Sequence, residues 1–279
     1  MATETKMVPY PSKSIVPERD VNERPVLEAM HLGITFGGLH AVEEFNITVG
    51  KTEIAGLIGP NGAGKTTVFN LLTKVYQPTT GTILLDGKDT SSMNSVAVNK
   101  AGIARTFQNI RLFNNLTVED NVKLGLHNSI KYTTIEGILR MPRYWKNEKE
   151  AHEKAMDLLK IFDMQDMANL KASSLPYGAQ RRLEIVRALA TDPKLLLLDE
   201  PAAGMNPSET AELMNTIRQI RDDFQIAIML IEHDMNLVMG VCEGIAVLNY
   251  GKIIAKGTPS EIQNNQEVIE AYLGKQKEA

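Results

Sequence analysis

GPNGAGKTT, running from Gly59 to Thr67, is the stretch on which the reading of this chain turns. It fits G-x-x-x-x-G-K-[ST], with Gly59, Gly64, Lys65 and Thr66 at the required positions. A phosphate chain brings several negative charges into a small volume, so holding it takes converging donors and a backbone close enough to touch. Glycine permits that approach. Backbone N–H groups from Gly62 to Thr67, Ala63 among them, would converge as a nest, with Asn61 as a further member of the loop. The positive end of a following helix would face the same point, and Lys65 would reach the β- and γ-phosphates. Thr66 would then hold Mg2+. A bare glycine-rich turn is the competing reading, and the flanks decide against it. Upstream, Glu53-Ile54-Ala55-Gly56-Leu57-Ile58 suits a buried strand; downstream, Val68-Phe69-Asn70-Leu71-Leu72 suits a helix.

Around this loop the chain has 279 residues, enough for one large domain or two small ones, and its 43% hydrophobic content is ample for a core. The formal charge of −4 comes from nearly balanced acids and bases, which gives no argument for a nucleic-acid partner. Cys242, the one cysteine, forms no intrachain disulfide and no cysteine cluster for a metal; it reads as a small core residue in a reducing compartment. No apolar run approaches the roughly eighteen residues that cross a bilayer, and no apolar signal segment opens the chain. The expectation is a cytoplasmic protein able to sit on a membrane partner.

Residues 1–25, with Pro9, Pro11, Pro17 and Pro25 among mixed charges, read as a flexible extension. From Val26 to Val49, short apolar runs broken by Gly37-Gly38 read as strands joined by turns. Phe36, just ahead of that turn, either packs in the core or offers an aromatic face to a base. Thr82 to Gly87 reads as a strand entering a turn, and Arg105 to Gln108 as a short strand. Thr117 to Leu126 reads as a helix capped by Thr117 or Asn115. Residues 128–147 look irregular, with Tyr144-Trp145 packing locally, and Glu148 to Phe162 has one apolar helical face. Ser173 to Ala179 reads as a loop and Gln180 to Ala190 as a helix. Lys194 to Leu198 suits a strand covered on both faces. Helix and strand then alternate: a helix over Pro207 to Arg221, a strand over Gln225 to Ile231, a helix over Asp234 to Val241, and strands near Ile245 to Leu248 and Lys252 to Ala255. Such alternation implies an α/β fold with a mainly parallel sheet.

Four polar residues accompany the phosphate loop. Asp199 and Glu200 close the strand Leu195-Leu196-Leu197-Leu198, at the edge where open α/β sheets bind ligands. Asp199 would orient Mg2+, and Glu200 would accept a hydrogen bond from an attacking water. His233 follows the strand Ala227 to Ile231 and would contact the γ-phosphate or hold the water in line. Gln108 would touch both Mg2+ and water.

The set GPNGAGKTT, Gln108, Leu175-Pro176-Tyr177-Gly178-Ala179, LLLLDE, Asn206 after PAAGM, and IEHD resembles the ATP-binding cassette family, from about Val26 to Leu273. GGLHAVEEFNI, RTFQNIRLFNNLTVEDNV, YGAQRRLEIVRALA, DEPAAGMNP and IEHDMNLVMG look most like ATP-binding subunits of branched-chain amino-acid importers. Urea, amide and lipid-transport cassettes, soluble cassette proteins and a non-hydrolysing scaffold are the alternatives. The resemblance implies a RecA-like P-loop core, an N-terminal antiparallel β subdomain and a helical signature subdomain over about 109–190. One cassette domain would span 26–273, with 274–279 as a tail. It implies ATP and Mg2+ as ligands, and a head-to-tail pair with a second cassette, identical or different. It also implies docking of Asn109 to Phe113 on membrane permeases, an indirect link to a solute-binding protein, no nucleic acid, and a place at the cytoplasmic face of the membrane. Gly178 would meet the partner's ATP. Pro176 departs from the family's usual serine and offers neither hydroxyl nor N–H, while Asn206 replaces a common Asp. In a pair of unlike cassettes, the two ATP sites would therefore be unequal.

Overall fold

Leu27–Phe36 (β1) and Leu39–Val49 (β2) pair antiparallel across Gly37 and Gly38, whose φ angles of 53° and 92° fit a tight hairpin turn. This is a computed structural model, describing residues 24–129 and 140–273. Of the expected N-terminal extension only Arg24 and Pro25 fall within that range, and the expected tail 274–279 lies outside it. The described residues form two compact units, one reaching Arg105 and resuming at Lys194, the other spanning Thr106–Pro193.

In the first unit, Ile54–Ile58 (β3) leads through the glycine loop into Lys65–Leu72 (α1). Thr80–Leu85 (β4) and Lys88–Asp89 (β5) complete a four-stranded antiparallel sheet of order β2-β1-β4-β5. Ser95–Ala101 (α2), which periodicity alone did not reveal, starts at Asn94, whose side chain accepts the Ala97 N–H at 2.9 Å. Ile103–Arg105 (β6) opens the last edge of the second sheet.

The second unit is helical. Val118–Gly125 (α3) is capped by Thr117, whose side chain accepts the Asp120 N–H, which decides between the two candidate caps. It packs against Pro142–Ile161 (α4) and Tyr177–Leu189 (α5). Two boundaries differ from the sequence reading. α4 begins six residues before Glu148, because Pro142 stands in the first turn, where its missing N–H costs nothing. Tyr144 and Trp145 therefore lie on a helix, with rings edge to face at 5.3 Å. α5 begins at Tyr177 with Pro176 as N-cap, so part of the expected loop is the helix's first turn.

Back in the first unit, Leu195–Asp199 (β7), Pro207–Phe224 (α6), Ala227–Ile231 (β8), Met235–Val241 (α7), Gly244–Asn249 (β9) and Lys252–Gly257 (β10) alternate largely as expected. Pro259–Gln263 (α8) and Gln266–Leu273 (α9) follow. The six-stranded sheet runs β10-β9-β3-β8-β7-β6, parallel except for the β9–β10 hairpin. Every residue of β3, β7 and β8 is buried, which is why each reads as an apolar run, closed at β7 by Asp199 and followed at β8 by Glu232. The β6 strand stops at Arg105, short of the expected Gln108. Beyond it the backbone turns to side-chain partners: Arg181 donates to the Phe107 carbonyl at 2.6 Å and to that of Gln108, and Glu184 accepts the Arg111 N–H at 3.2 Å.

Candidate active site

Strand register brings three separated segments to one edge. Leu57 of β3 and Asp199 of β7 both pair with Ile231 of β8, so the glycine loop, the Asp199-Glu200 pair and His233 leave the sheet at the same level. Parallel strands make this inevitable, since all their C-terminal ends face one way.

The glycine loop touches the rest of the fold so closely that side chains are excluded. A Cβ on Gly59 would stand 2.0 Å from the Leu248 carbonyl oxygen and one on Gly64 2.8 Å from that of Ala41, and both residues have positive φ, 152° and 104°. Gly64 is also the N-cap of α1 and caps it with no side chain, so no side-chain cap takes the first-turn N–H groups, Lys65 to Thr67. Gly59→Ala is therefore expected to lose about 1–3 kcal/mol of stability from strain alone. It should also lose nucleotide binding; denaturant melts and a nucleotide titration measure both, and wild-type values would refute the close-approach account. Lys65 is buried, and its ammonium bridges the loop by donating to the carbonyls of Gly59 at 2.6 Å and Pro60 at 2.9 Å. Burial lowers its pKa, and the charges of Glu200 and Asp199 pull it back up, so both carboxylates act on this ammonium. Asn61, Gly62 and Thr66 are exposed, Thr67 half-buried and Ala63 buried.

Asp199 is not a loose carboxylate. Arg105 donates to its Oδ2 at 2.7 Å and to Asn70 Oδ1 of α1 at 2.7 Å, and lies 5.5 Å over the Phe69 ring. Sequence reading missed Arg105; the available signal was a lone charge ending a short apolar strand. Glu200 adopts a left-handed backbone, φ 49°, and its N–H bonds the Ile231 carbonyl at 2.9 Å. His233 Nε2 lies 2.8 Å from Glu200 Oε1. A carboxylate only accepts, so Nε2 holds the proton and the imidazole is fixed against Glu200. Glu232, also missed, is buried between these segments.

Phe36 is 44% exposed, which sets aside core packing; Tyr76, just past α1, meets its ring edge to face at 5.2 Å. Asn206, the departure from Asp, has a local duty: its side chain accepts the N–H groups of Ser208 and Glu209, and Glu209 returns the bond in a capping box at the start of α6.

Gln108 and Gly178 belong to the helical unit. Gln108 is exposed, its carbonyl held by Arg181. Gly178 sits in the first turn of α5, which has no side-chain cap because Pro176 stands at the N-cap. Arg181 and Glu184, a buried pair at 3.2 Å, join this helix to residues 107–111, and burial pushes the Glu184 carboxyl up.

A family model described as "ABC transporter" matches residues 42–203, and one described as "Branched-chain amino acid ATP-binding cassette transporter" matches residues 252–278. The chain is 45% identical over 251 residues to the high-affinity branched-chain amino acid transport ATP-binding protein BraF of Pseudomonas aeruginosa, covering 90% of this chain and 98% of that one. Against the corresponding protein LivG of Escherichia coli K12 the identity is 46% over the same shares. A solved nucleotide-free ATP-binding cassette from an ABC transporter superposes with a TM-score of 0.78 at 29% identity, over 90% of this chain and all of the other. With a family model spanning more than half its length and relatives matched nearly end to end, the chain belongs to the ABC transporter family, as an ATP-binding cassette.

Proposed function

We propose that this chain is the ATP-hydrolysing subunit of a membrane importer, and that the imported solutes are branched-chain amino acids. The strongest support is the Glu200–His233 contact at 2.8 Å, set at the same sheet edge as a glycine loop whose lysine feels both strand-end carboxylates. The names of the relatives supply the solute class.

In this reading the loop from Gly59 to Thr67 wraps the phosphates with N–H groups, and Lys65 neutralises the β- and γ-phosphates. Phe36 stacks on the base. Thr66 and Asp199 would hold Mg2+, and Gln108 is the helical unit's candidate ligand for it. These are hard oxygen donors, and among the described residues no cluster of His, Cys, Asp and Glu forms a metal cage, a pattern suited to an ion that keeps waters and phosphate ligands. When bound, Mg2+ supplies positive charge to the phosphate oxygens. Glu200 accepts a proton from the attacking water, and His233 keeps Glu200 oriented and faces the γ-phosphate. Phosphoryl transfer passes through a loose transition state, so positioning and charge neutralisation do most of the work.

A second cassette, identical or not, completes the site, with the first-turn N–H groups at Gly178 facing that partner's ATP. Binding then favours the closed pair and hydrolysis removes the preference, because a ligand shifts a two-state balance only by its differential affinity. In this reading permease subunits carry the span and the cassette works from their cytoplasmic side. Among the described residues no helix is long and apolar enough to cross a membrane. Asn109 to Phe113 makes the permease contact. Asn121 clamps the Phe113 backbone, accepting its N–H at 2.9 Å and donating to its carbonyl at 3.1 Å, while the residue as a whole stays 54% exposed. An exposed aromatic of this kind, once buried as an anchor in an interface, is worth about 2 kcal/mol or more. Leu112→Ser with Phe113→Ser is thus expected to cut uptake into vesicles about tenfold or more while sparing ATP binding; undiminished uptake rejects this docking site.

A further inference from the structure

Glu232 is a buried carboxylate, 3% exposed, that accepts three backbone N–H groups from two different segments. Its Oε1 takes the N–H of Ala202 at 2.7 Å; its Oε2 takes those of His233 at 2.9 Å and Asp234 at 3.3 Å. Ala202 opens the tight turn after Glu200, in which the Ala203 N–H bonds the Glu200 carbonyl and the Met205 N–H that of Ala202. Asp234 caps α7 through the Asn236 and Leu237 N–H groups. One side chain therefore spans two loops 30 residues apart, each bearing one member of the Glu200–His233 pair.

Burying a carboxylate is costly, and convergent N–H donors offset the cost only while all of them stay in place. Burial raises the Glu232 pKa and the Glu200 charge adds to the rise, while the three N–H groups pull it down. A carboxylate is the side chain that serves such a site, because it accepts at both ends. A glutamine has one accepting oxygen, and its NH2 would face an N–H at the other end.

We propose that Glu232 is a positioning residue for ATP hydrolysis: it clamps the 200–205 turn to the 232–234 segment and so holds the Glu200 carboxylate and the His233 imidazole in register. It does not itself touch the nucleotide. The inference rests on the ATPase reading above, with Glu200 accepting the proton from water.

Glu232→Gln, nearly isosteric, is the primary test, assayed in the assembled transporter by single-turnover phosphate release and by titration with a fluorescent ATP analogue. Displacing reacting groups by about an ångström costs about 10²-fold in rate. We expect turnover to fall by that order with nucleotide affinity unchanged, and amide exchange to speed up at Ala202 and His233. In a Glu200→Gln background, adding Glu232→Gln should change the residual rate little, since residues acting as one unit are non-additive. Glu232→Ala should behave alike if it folds; should it fail to fold, the Gln variant alone decides. Wild-type turnover in Glu232→Gln, affinity lost in step with rate, or a full further loss in the double variant would each overturn the proposal. No phosphate release from the wild-type complex would overturn the ATPase reading itself, and the proposal with it.

Discussion

Glu200→Gln is expected to bind nucleotide as the wild type does and to lose turnover by about 10²–10⁴-fold, the usual worth of general-base assistance. Gln keeps the shape of Glu200 and its bond from His233, which needs only an acceptor, and the side chain is 18% exposed, so the exchange does not strand a buried charge. What it removes is the basic oxygen pair. The residue adopts φ 49°, a conformation costing about 1–3 kcal/mol that glutamine shares, so stability should change little. Affinity should hold because the groups proposed to face the phosphates, Lys65 and the loop N–H donors, are unchanged. Phosphate release under single-turnover conditions, set beside a nucleotide titration, separates the two quantities. A variant that hydrolyses at the wild-type rate would remove Glu200 from the chemistry.

Arg105→Met is expected to be the most destabilising of the substitutions considered, by about 3–5 kcal/mol, the cost of stranding one member of a buried ion pair. The side chains of Arg105 and Asp199 are 7% and 4% exposed and meet at 2.7 Å. Methionine fills much of the volume over Phe69 but takes the guanidinium away from the buried Asp199 carboxylate and the donor away from Asn70 Oδ1. Arg105→Lys should fall between, because an ammonium on a flexible stem cannot reproduce a guanidinium that reaches Asn70 and Asp199 at once. The exposed pair Lys194–Asp86, 49% and 34% accessible, makes the contrast: breaking it should cost less than about 1 kcal/mol. Equilibrium unfolding in denaturant measures both, and equal costs would show that burial of the Arg105 pair contributes nothing.

Much of the fold was legible because its signals are local. The glycine loop announces itself between an apolar strand and a helix, the leucine run ends in two acids, and Thr117 lies at helix-cap spacing from Asp120. Boundaries were less legible where one residue has two meanings. Pro142 looks like a breaker yet starts α4; Gly178 looks like loop yet sits in the first turn of α5. At Thr106 to Gln108 the extended pattern continues, but a strand needs a partner, and there the backbone is taken by Arg181 and Glu184 from far along the chain.

The amino-acid order alone therefore determined the alternation of strands and helices and the segments proposed to bear the chemistry: the phosphate loop, Asp199 with Glu200, and His233. Each of these is a relation among neighbours, enforced by backbone geometry and by the burial of one face. Only tertiary structure decided which distant groups answer them. Arg105 meets Asp199 across 94 residues and Glu232 reaches Ala202 across 30, while Phe36 finds Tyr76 instead of the core. No period or spacing encodes such pairings, because they arise when strand register brings separate chain ends to one edge and buried charges must find partners there.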